Sequence, residues 1–457
     1  MIKKSIIYFC LIILFLSGCS GIKRVPELEM RKSVAAVSNI YRPMGQKPQL
    51  PNLTPNSSIS DFLLYGILNS PEVESAYYDW LGSVEQITIE RSLPDPKLTF
   101  QTDVMDFVKS FMPGVTFEFP GAGKLKARAD VASAESRGLY YKFESAIFKT
   151  AFNIKRTYYQ LYFLEDKIRI NQKILNLLND LEAIARRRNE LGLGTLEDVL
   201  RIQIELERIK TEIANLEDSR KPLIATFKGA LGMKPEEPDP PVPSLFQTTS
   251  LNLTDDVLLK TALSKNPSVK MIEAEIMRAN AAIQLARKAK IPDYSAGAEL
   301  DVLSSPVMVR PQFSITLPIW RDKIAAQIAA AESEKKSAEA RLTQAQIYLA
   351  VDIAEKMFTY RETTRLIRLL SEQLIPRARQ SVDISTANYS SGKDEFLRLI
   401  ENWKLLYELE LELVEAKTRR ELALAELELI IVSVQPEGAP FLKNEPVQMP
   451  EKKIKRK

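Results

Sequence analysis

Hydrophobic and polar positions follow the same succession of periods twice along the chain. In each half, a helical period of about 3.6 residues leads into two short segments that alternate residue by residue, and a much longer helical period follows. The first helical segments span 61–91 and 255–290, and Pro71 and Pro267 occupy matching places in them. The sequence therefore predicts two copies of one unit with the order helix, strand, strand, helix, helix.

The alternating segments have period two, which predicts strands with one apolar face and one polar face. They are expected at about 97–119 and about 295–317. The apolar positions are Leu98, Phe100, Thr102, Val104, Val115, Phe117, Phe119, Ala298, Leu300, Val302, Phe313, Ile315 and Leu317. The polar positions are Thr99, Gln101, Asp103, Thr116, Glu118, Glu299, Asp301, Ser314 and Thr316. This pattern is typical of strands that separate lipid from water, and two soluble hairpins packed on a core are the alternative interpretation.

A long helical pattern follows each strand pair, over about 124–190 and about 321–388. Some 65 residues in one helix would extend about 100 Å, and so long a helix requires lateral partners. Apolar residues recur at spacings of three, four and seven, as a coiled-coil seam requires. They are Leu164, Ile168, Leu175, Leu178, Ile353, Met357, Tyr360, Ile367 and Leu374.

Each long helix ends at a glycine-containing turn, at about 191–195 and about 390–393. Glycine suits the left-handed conformation in which many helices end. A second helix follows each turn and is expected to end near Leu231 or Ile431. Gly194 and Gly392 are separated by 198 positions (392 − 194), which supports the duplication.

The other segments are irregular. A proline-rich linker at 234–251 joins the predicted repeats, which span 59–233 and 252–434. Residues 19–58, rich in proline, asparagine and serine, are expected to form an extended tether. Residues 435–457 are expected to be disordered.

Residues 1–18 have the composition of a signal peptide, with two lysines before an apolar run of about eleven residues that is too short to span a bilayer. The run ends in Leu16-Ser17-Gly18-Cys19, which resembles the lipobox of bacterial lipoproteins, so Cys19 is expected to carry the lipid. By resemblance to lipoprotein sorting, Ser20 implies the outer membrane. An ordinary secretory signal with a chance cysteine is the alternative interpretation of this segment. No later stretch approaches 18 consecutive apolar residues, so a further membrane crossing would use strands.

The composition narrows the function. The 457 residues include no histidine, and the only cysteines are Cys10 and Cys19, which excludes His-dependent triads and the usual zinc sites. The net charge of +4, from 63 basic and 59 acidic residues, gives no reason to expect a nucleic-acid partner. Asp103 and Glu118 are the remaining candidates for a catalytic carboxylate pair, but alternating polar residues explain both without catalysis. We therefore expect neither an enzyme nor a cofactor.

Four strands cannot close a barrel, since the smallest barrels have about eight. Open strand edges are not viable in hydrocarbon, so several copies of the chain would have to pool their strands. The alternative is a protein that forms no pore, either a lipid-anchored coiled-coil scaffold or a periplasmic adaptor. A scaffold would lack the strands, and an adaptor typically has one helical hairpin rather than two.

From about residue 60 to 434, the chain resembles the TolC-type outer-membrane efflux proteins. The resemblance lies in the duplicated plan, Pro71 and Pro267, the Leu317-Pro318-Ile319-Trp320 exit from a strand, and both glycine turns. It implies a mainly α fold with a small β part, in which tandem long α-hairpins form a periplasmic α-barrel. Four strands from each chain of a homotrimer would form a twelve-stranded transmembrane β-barrel. The implied function is passive conduction across the outer membrane, coupled through a periplasmic adaptor to an inner-membrane pump of the RND type.

The resemblance also assigns roles to residues at the hairpin tips. The adaptor docks at the glycine turns in this family, which correspond to Gly194 and Gly392. An inward-facing acid after the second turn helps to gate the aperture, and Glu395 matches it. A second acid often follows one turn later, where this chain has Arg398, so a constriction lined by both charges is expected. The alternative for Glu395 and Arg398 is a solvated helix end. The three arginines at 186–188 are expected to be exposed charges.

The segments 95–98 and 119–124 resemble those of the heavy-metal branch of the family, so metal ions are the expected cargo. Multidrug or amphiphile efflux and type I secretion are the alternatives. Met105, Met112 and Met308 lie near strand ends, and thioethers are ligands for Cu(I). Scattered methionines more often fill gaps or face lipid, so no metal site is assigned to them.

Overall fold

The computed structural model describes residues 25–104, 108–244, 246, 251, 254–391, 393 and 396–431. Within these ranges the chain forms ten α-helices and four strands. In chain order, they are α1 (Val25–Tyr41), α2 (Ile59–Asn69), α3 (Pro71–Arg91), β1 (Lys97–Val104), β2 (Val108–Phe119), α4 (Lys124–Glu190), α5 (Leu196–Ala230), α6 (Asp255–Lys265), α7 (Pro267–Lys288), β3 (Tyr294–Asp301), β4 (Met308–Ile315), α8 (Arg321–Leu369), α9 (Ile375–Ser390) and α10 (Phe396–Ile431). The predicted fold class, mainly α with a small β part, is confirmed.

The N-terminal segment differs from the prediction. An extended tether was predicted over 19–58, but helix α1 occupies 25–41 and packs against α3 and α4. Glu27 is buried in this contact, accepts a hydrogen bond from the Thr88 hydroxyl at 2.9 Å and pairs with Arg91 at 2.7 Å. Because tertiary contacts of this kind stabilise the helix, the local sequence pattern did not reveal it. Residues 19–24 lie outside the described residues.

Each predicted entry helix consists of two helices. Proline occupies the first position of α3 and of α7. A backbone N–H at this position has no partner within the helix, so the lack of one in proline costs no hydrogen bond. The residue before it caps the new helix: Ser70 Oγ accepts from the Val73 N–H at 3.4 Å, and Asn266 Oδ1 accepts from the Ser268 N–H at 2.9 Å. The chain therefore turns at these positions instead of continuing as one helix.

The two long helices are not equivalent. Helix α4 extends over 67 residues without a break, with the bounds that the sequence predicts. The single helix predicted over 321–388 is instead interrupted by a π-helical segment, Leu370–Leu374, before α9. Pro376 explains the interruption, because it has no N–H for the carbonyl of Glu372 and its ring crowds that carbonyl. The wider π turn accommodates both effects.

The long helices form a layer. Helix α4 lies between α5 and α10, and α10 contacts α8 and α9 on its other side. Predicted seam residues are buried in these contacts, among them Leu164, Ile168, Ile353 and Met357. Helices α5 and α8 are thus the outer members of the layer. In the part of the chain that the structure describes, no helix has both the length and the apolar character needed to cross a membrane.

The four strands form one antiparallel sheet in the order β1, β2, β3, β4. The central pairing, β2 with β3, joins the two repeats, with Phe119 opposite Tyr294 and Gly114 opposite Glu299. Both repeats therefore contribute a hairpin to the same sheet, which leaves β1 and β4 as its two edges.

Candidate functional site: the strand face and the hairpin tips

Antiparallel pairing gives the sheet two chemically different faces, since residues directly opposite each other point to the same side. The polar face consists of Lys97, Thr99, Gln101, Asp103, Ser110, Met112, Gly114, Thr116, Glu118, Ser295, Gly297, Glu299, Asp301, Met308, Arg310, Gln312 and Ser314. The apolar face consists of Leu98, Phe100, Thr102, Phe111, Pro113, Val115, Phe117, Phe119, Tyr294, Ala296, Ala298, Leu300, Val309, Pro311, Phe313 and Ile315. The predicted alternation is confirmed.

Large side chains of the apolar face are exposed. Phe313 is 79% exposed and Leu98 65%. Phe100 is also exposed and stacks on Phe111 at 6.1 Å between ring centroids. The strand exit after β4 continues this surface, since Trp320 is 71% exposed. An uncovered apolar surface of this kind is suited to contact with lipid or with another protein.

Hydrogen bonds and ion pairs connect neighbouring strands on the polar face. Lys97 pairs with Glu118 at 2.5 Å, and the hydroxyls of Ser295 and Ser314 are 2.7 Å apart. Ser110 donates to Asp103 at 2.7 Å. These contacts bond Lys97, Glu118 and Asp103 to side chains of the neighbouring strand.

The sheet register excludes Asp103 and Glu118 as a catalytic pair. Asp103 lies opposite Ser110, and Glu118 lies eight positions farther along β2. At about 3.3 Å per residue this is a separation of roughly 26 Å, whereas carboxylates that act together on a glycosidic bond lie within about 10 Å.

Two buried acids lie on the polar face toward the end of β3. Glu299 packs closely over Gly114, where an added Cβ would meet Glu299 Cγ at 2.4 Å. Asp301, two residues on, accepts a hydrogen bond from Arg310 at 3.1 Å. Only 3% of Glu299 and 4% of Asp301 is exposed, although their alternation alone predicts solvated side chains. In the described residues, Glu299 Oε1 and Asp301 Oδ1 have no hydrogen-bond partner.

The first hairpin tip is built by backbone geometry and a capping box. Gly192 has a φ of 70°, and the Leu193 N–H donates to the Arg188 carbonyl at 2.8 Å, which closes the end of α4. Thr195 and Asp198 cap α5 reciprocally. Gly194 lies between these features, and an added Cβ there would meet Arg188 Cβ at 3.1 Å. The turn therefore fits a glycine closely.

Arg188 corrects the expectation that the three arginines at 186–188 are all exposed charges. Its guanidinium donates to the Tyr389 carbonyl at 2.5 Å and to the Leu193 carbonyl at 3.0 Å, and lies 4.7 Å from the centroid of the Tyr389 ring. Burial raises the pKa of Tyr389, so its hydroxyl stays protonated. Arg186 and Arg187 are exposed, as expected. Since Tyr389 lies 201 positions along the chain, no local pattern could have revealed the contact.

Further bonds join the two hairpins along their length. The Tyr407 hydroxyl donates to Asn171 Oδ1 at 2.8 Å, and Lys404 pairs with Glu205 at 2.8 Å. The ion pair of Lys155 with Glu428 lies nearer the strands. Together with Arg188, these contacts fix the position of the second hairpin against the first.

The structure does not test every predicted site residue. Gly392 and Glu395 at the second tip, Cys19 at the lipobox and Met105 lie outside the described residues. Arg398 is exposed in the first turn of α10. In the described ranges, no group of three or more His, Cys, Asp or Glu side chains is arranged to hold a metal ion.

The duplicated helical hairpins and the shared sheet are the features of an outer-membrane efflux channel. The family model described as "Outer membrane efflux protein" matches residues 105–233 and 258–431, so the chain belongs to the outer membrane efflux protein family. The resemblance seen in the sequence is thereby confirmed. Proteins of this family are channels and not enzymes.

Individual relatives are distant. A membrane protein from Pseudomonas aeruginosa has a TM-score of 0.71 at 17% identity, covering 85% of this chain and 93% of its own. The open-state outer-membrane channel MtrE of Neisseria gonorrhoeae has a TM-score of 0.69 at 15% identity, covering 86% and 94%. Toxin and drug export protein A of Aggregatibacter actinomycetemcomitans is 22% identical over 179 residues, 39% of each chain. The aligned part thus spans about two fifths of that relative.

Proposed function

We propose that this chain is one subunit of an exit duct that conducts substrate passively across the outer membrane, as part of a tripartite efflux system. The sheet carries the proposal, because it has an exposed apolar face, a polar face and two edge strands. Three copies, the number implied by the family resemblance, would supply twelve strands and pair every edge. The polar faces would then line the conduit and the apolar faces would contact lipid.

The helical layer supports assembly in a ring. Helix α5 at one side exposes Leu200 and Ile204, and helix α8 at the other side exposes Ile347 and Phe358. The two sides are different surfaces, so the contact between copies would be heterologous, and such contacts close into a ring when the rotation allows it. The ring of helices would continue the barrel as a periplasmic α-barrel.

The N-terminal segment supports an anchor on the same membrane. In the proposal, residues 1–18 are removed and Cys19 carries the lipid. Helix α1 begins six residues later, a length of chain that reaches about 20 Å when extended. Glu27, in the first turn of α1, forms an ion pair with Arg91. Arg91 is the last residue of α3 and lies near the start of β1. The lipid would therefore lie close to the barrel.

The hairpin tips would face the periplasmic adaptor, which in turn contacts an inner-membrane pump of the RND type. Leu193 and Leu196 are exposed around the turn that contains Gly194, and they offer an apolar surface for docking. Gly392 would provide the second docking turn. Glu395 and Arg398 would line the aperture, and the bond of Arg188 to the Tyr389 carbonyl would hold the second hairpin in place there.

Heavy-metal ions are the proposed cargo, by resemblance of the sequence to the heavy-metal branch. The name of the Aggregatibacter relative, a toxin and drug export protein, favours multidrug or protein export as the second candidate. The two differ in the chemistry of the substrate and not in the architecture of the duct.

Assembly is tested by the oligomeric state of the purified protein in mild detergent. We expect a heat-resistant trimer that forms potassium-conducting pores in planar bilayers. Phe358→Asp, at an exposed position of α8, should shift the protein toward monomers, because it buries a charge at the contact. Leu405→Asp, at an exposed position of α10, which lies between α4 and α8, is the matched control and should leave the trimer intact. A wild-type protein that is strictly monomeric and does not conduct would overturn the proposal.

Cargo is tested by the sensitivity of a deletion strain, with and without complementation, to copper, silver, zinc, cobalt, dyes, bile salts and antibiotics. Selective hypersensitivity to metals would support the heavy-metal assignment. Broad sensitivity to amphiphiles would replace it with multidrug efflux and leave the duct unchanged.

A further inference from the structure

One row of the polar face places two methionines on either side of a buried carboxylate. Met308 lies directly opposite Asp301. The hydrogen bond from the Val302 N–H to the Phe111 carbonyl, at 3.1 Å, continues the pairing of β2 with β3, so Met112 lies opposite Asp301 on its other side. Side chains directly opposite each other have Cβ atoms about 4.5–5.5 Å apart. We call Met112, Asp301 and Met308 the methionine row.

Asp301 has one bonded and one unbonded carboxylate oxygen. Oδ2 accepts the hydrogen bond from Arg310, while Oδ1 is buried and has no partner in the described part of the chain. A buried acceptor without a partner is unfavourable, so such atoms in native proteins usually have a ligand, an ion or an ordered water. The free oxygen lies on the carboxylate that the two methionines flank.

The charges around the row favour a cation. Arg310 neutralises one of the two neighbouring acids, and Glu299 lies opposite Arg310 in the next row. Glu299 is itself buried, and its Oε1 has no partner in the described residues. Two carboxylates and one guanidinium leave this part of the polar face with a net negative charge, which attracts cations.

The donor atoms select the kind of cation. Thioether sulfur is a soft ligand that suits Cu(I), whereas Mg²⁺ and Ca²⁺ require sets of oxygen ligands that one carboxylate does not supply. Met308 is 47% exposed and Met112 is 4% exposed, so one sulfur is accessible from solution and the other lies within the sheet surface. Such a pair would allow an ion to enter and leave on the exposed side.

We infer that the methionine row is a transient site for a soft monovalent metal cation, Cu(I) or Ag(I), bound by the two Sδ atoms and Asp301 Oδ1. The inference rests on the proposed function, since the row lines a conduction path only if copies of the sheet form a shared barrel. Weak binding is compatible with conduction, because an ion in a duct must be released as readily as it is bound.

The first experiment measures binding directly. Full-length purified protein in detergent is equilibrated with silver nitrate in chloride-free buffer, and bound silver is counted by elemental mass spectrometry. The wild type should bind one more silver ion per subunit than the Met112→Leu/Met308→Leu variant, in which leucine preserves approximate volume and polarity. Met277→Leu, at an exposed methionine of α7, is the matched control and should bind as much silver as the wild type.

The second experiment measures conduction in planar bilayers. Silver should reduce the potassium conductance of the wild type, and the double methionine variant should need at least tenfold more silver for half-block. Asp301→Asn should give an intermediate shift, since it keeps both sulfurs. If the double variant fails to assemble, Met308→Leu alone, at the exposed position, should shift the half-blocking concentration in the same direction.

The results separate the two claims. Equal silver binding by the wild type and an assembled double variant would overturn the site, as would an equal loss in the Met277→Leu control. A wild type that conducts potassium without a silver effect would overturn the site and leave the duct standing. Methionine-dependent silver binding by a protein that does not conduct would support the site and overturn the duct.

Discussion

The first and second repeats have the same order of elements but bury different cores. In the first repeat, α1 lies against the entry helices, and Tyr41, Trp80 and Phe143 are fully buried, with Trp80 stacked on Phe143 at 5.8 Å. In the second repeat, the buried residues of α6 and α7 are smaller, such as Leu258 and Val269, and no described helix corresponds to α1. In the first repeat, α1 thus covers the entry helices within the chain, whereas no corresponding helix covers α6 and α7 in the described ranges.

A shared pair of hydrogen bonds underlies these different cores. Asn69 Nδ2 donates to the Leu231 carbonyl at 2.9 Å, and Asn266 Nδ2 donates to the Ile430 carbonyl at 2.9 Å. Each bond ties an entry helix to the end of the return helix of its own repeat. The duplication has therefore kept the backbone connections, while the side chains around them have diverged.

The largest expected difference between the repeats is at Trp80. Trp80→Ala should destabilise the protein by about 3–5 kcal/mol, because it removes a fully buried ring and leaves a cavity. The matched change Ile276→Ala, at the same distance from the proline that starts α7, should cost less because Ile276 is half-buried. Thermal unfolding followed by helical circular dichroism compares the two. Equal losses would mean that the aromatic core of the first repeat is not the source of its stability.

A smaller effect is expected at the asparagines, because one residue of the second repeat makes the hydrogen bonds that two residues make in the first. Asn266 both caps α7 and satisfies the Ile430 carbonyl, whereas Ser70 caps α3 and Asn69 satisfies the Leu231 carbonyl. Asn266→Ala should therefore cost about 2–4 kcal/mol, from the loss of a cap and of a partner for a carbonyl.

The controls are the single variants Asn69→Ala and Ser70→Ala and their combination, measured by the same unfolding assay. Each single variant should cost less than Asn266→Ala, and the double variant should cost about the same. If Asn266→Ala cost no more than Ser70→Ala, the bond to the Ile430 carbonyl would contribute nothing measurable.

The sequence predicted the features that depend on local chemistry. The end of α4 follows from the glycine turn after it, and the strand faces follow from strict alternation at positions such as Leu98 and Thr99. Helix α1 was missed because its stability comes from contacts with α3 and α4. The contact of Arg188 with Tyr389 was missed because it depends on how the two hairpins pack.

The π-helical interruption lies between these cases. Pro376 was visible in the sequence and indicates a disturbed helix, but the heptad spacing of Ile367 and Leu374 continues across it and favoured one helix. Both features of the sequence appear in the structure: the backbone stays helical through Leu370–Leu374, but the turn formed by these residues is wider than an α-helical turn. The methionine row was likewise hidden, because the sequence shows the methionines but not the register that places Asp301 between them.

The smallest expected effect concerns a buried acid in the return helix of the second repeat. Burial raises the pKa of Glu421 to about 7, and the nearby Arg420 and Lys155 oppose this shift. Counted from the first residues of the two return helices, the corresponding position of the first repeat is Lys221, which is exposed. The difference arises because α10 packs on both α8 and α4, whereas α5 is an outer helix of the layer.

The sign of the pH dependence follows from the raised pKa. The folded chain binds the proton of Glu421 more tightly than the unfolded chain, so stability present below about pH 4.5 is lost as the pH rises through about 7. The wild type should unfold at a lower temperature at pH 8 than at pH 5. Glu421→Gln should reduce that difference by about 2–3 kcal/mol, since the raised pKa acts over nearly two pH units between pH 5 and pH 8 and each unit corresponds to about 1.4 kcal/mol. Part of the dependence should remain, because burial also raises the pKa of Glu144 to about 7.

The control is Lys221→Gln, which should leave the difference between pH 5 and pH 8 unchanged. An equal change in both variants would show that the burial of Glu421 between the two repeats is not the cause of the pH dependence.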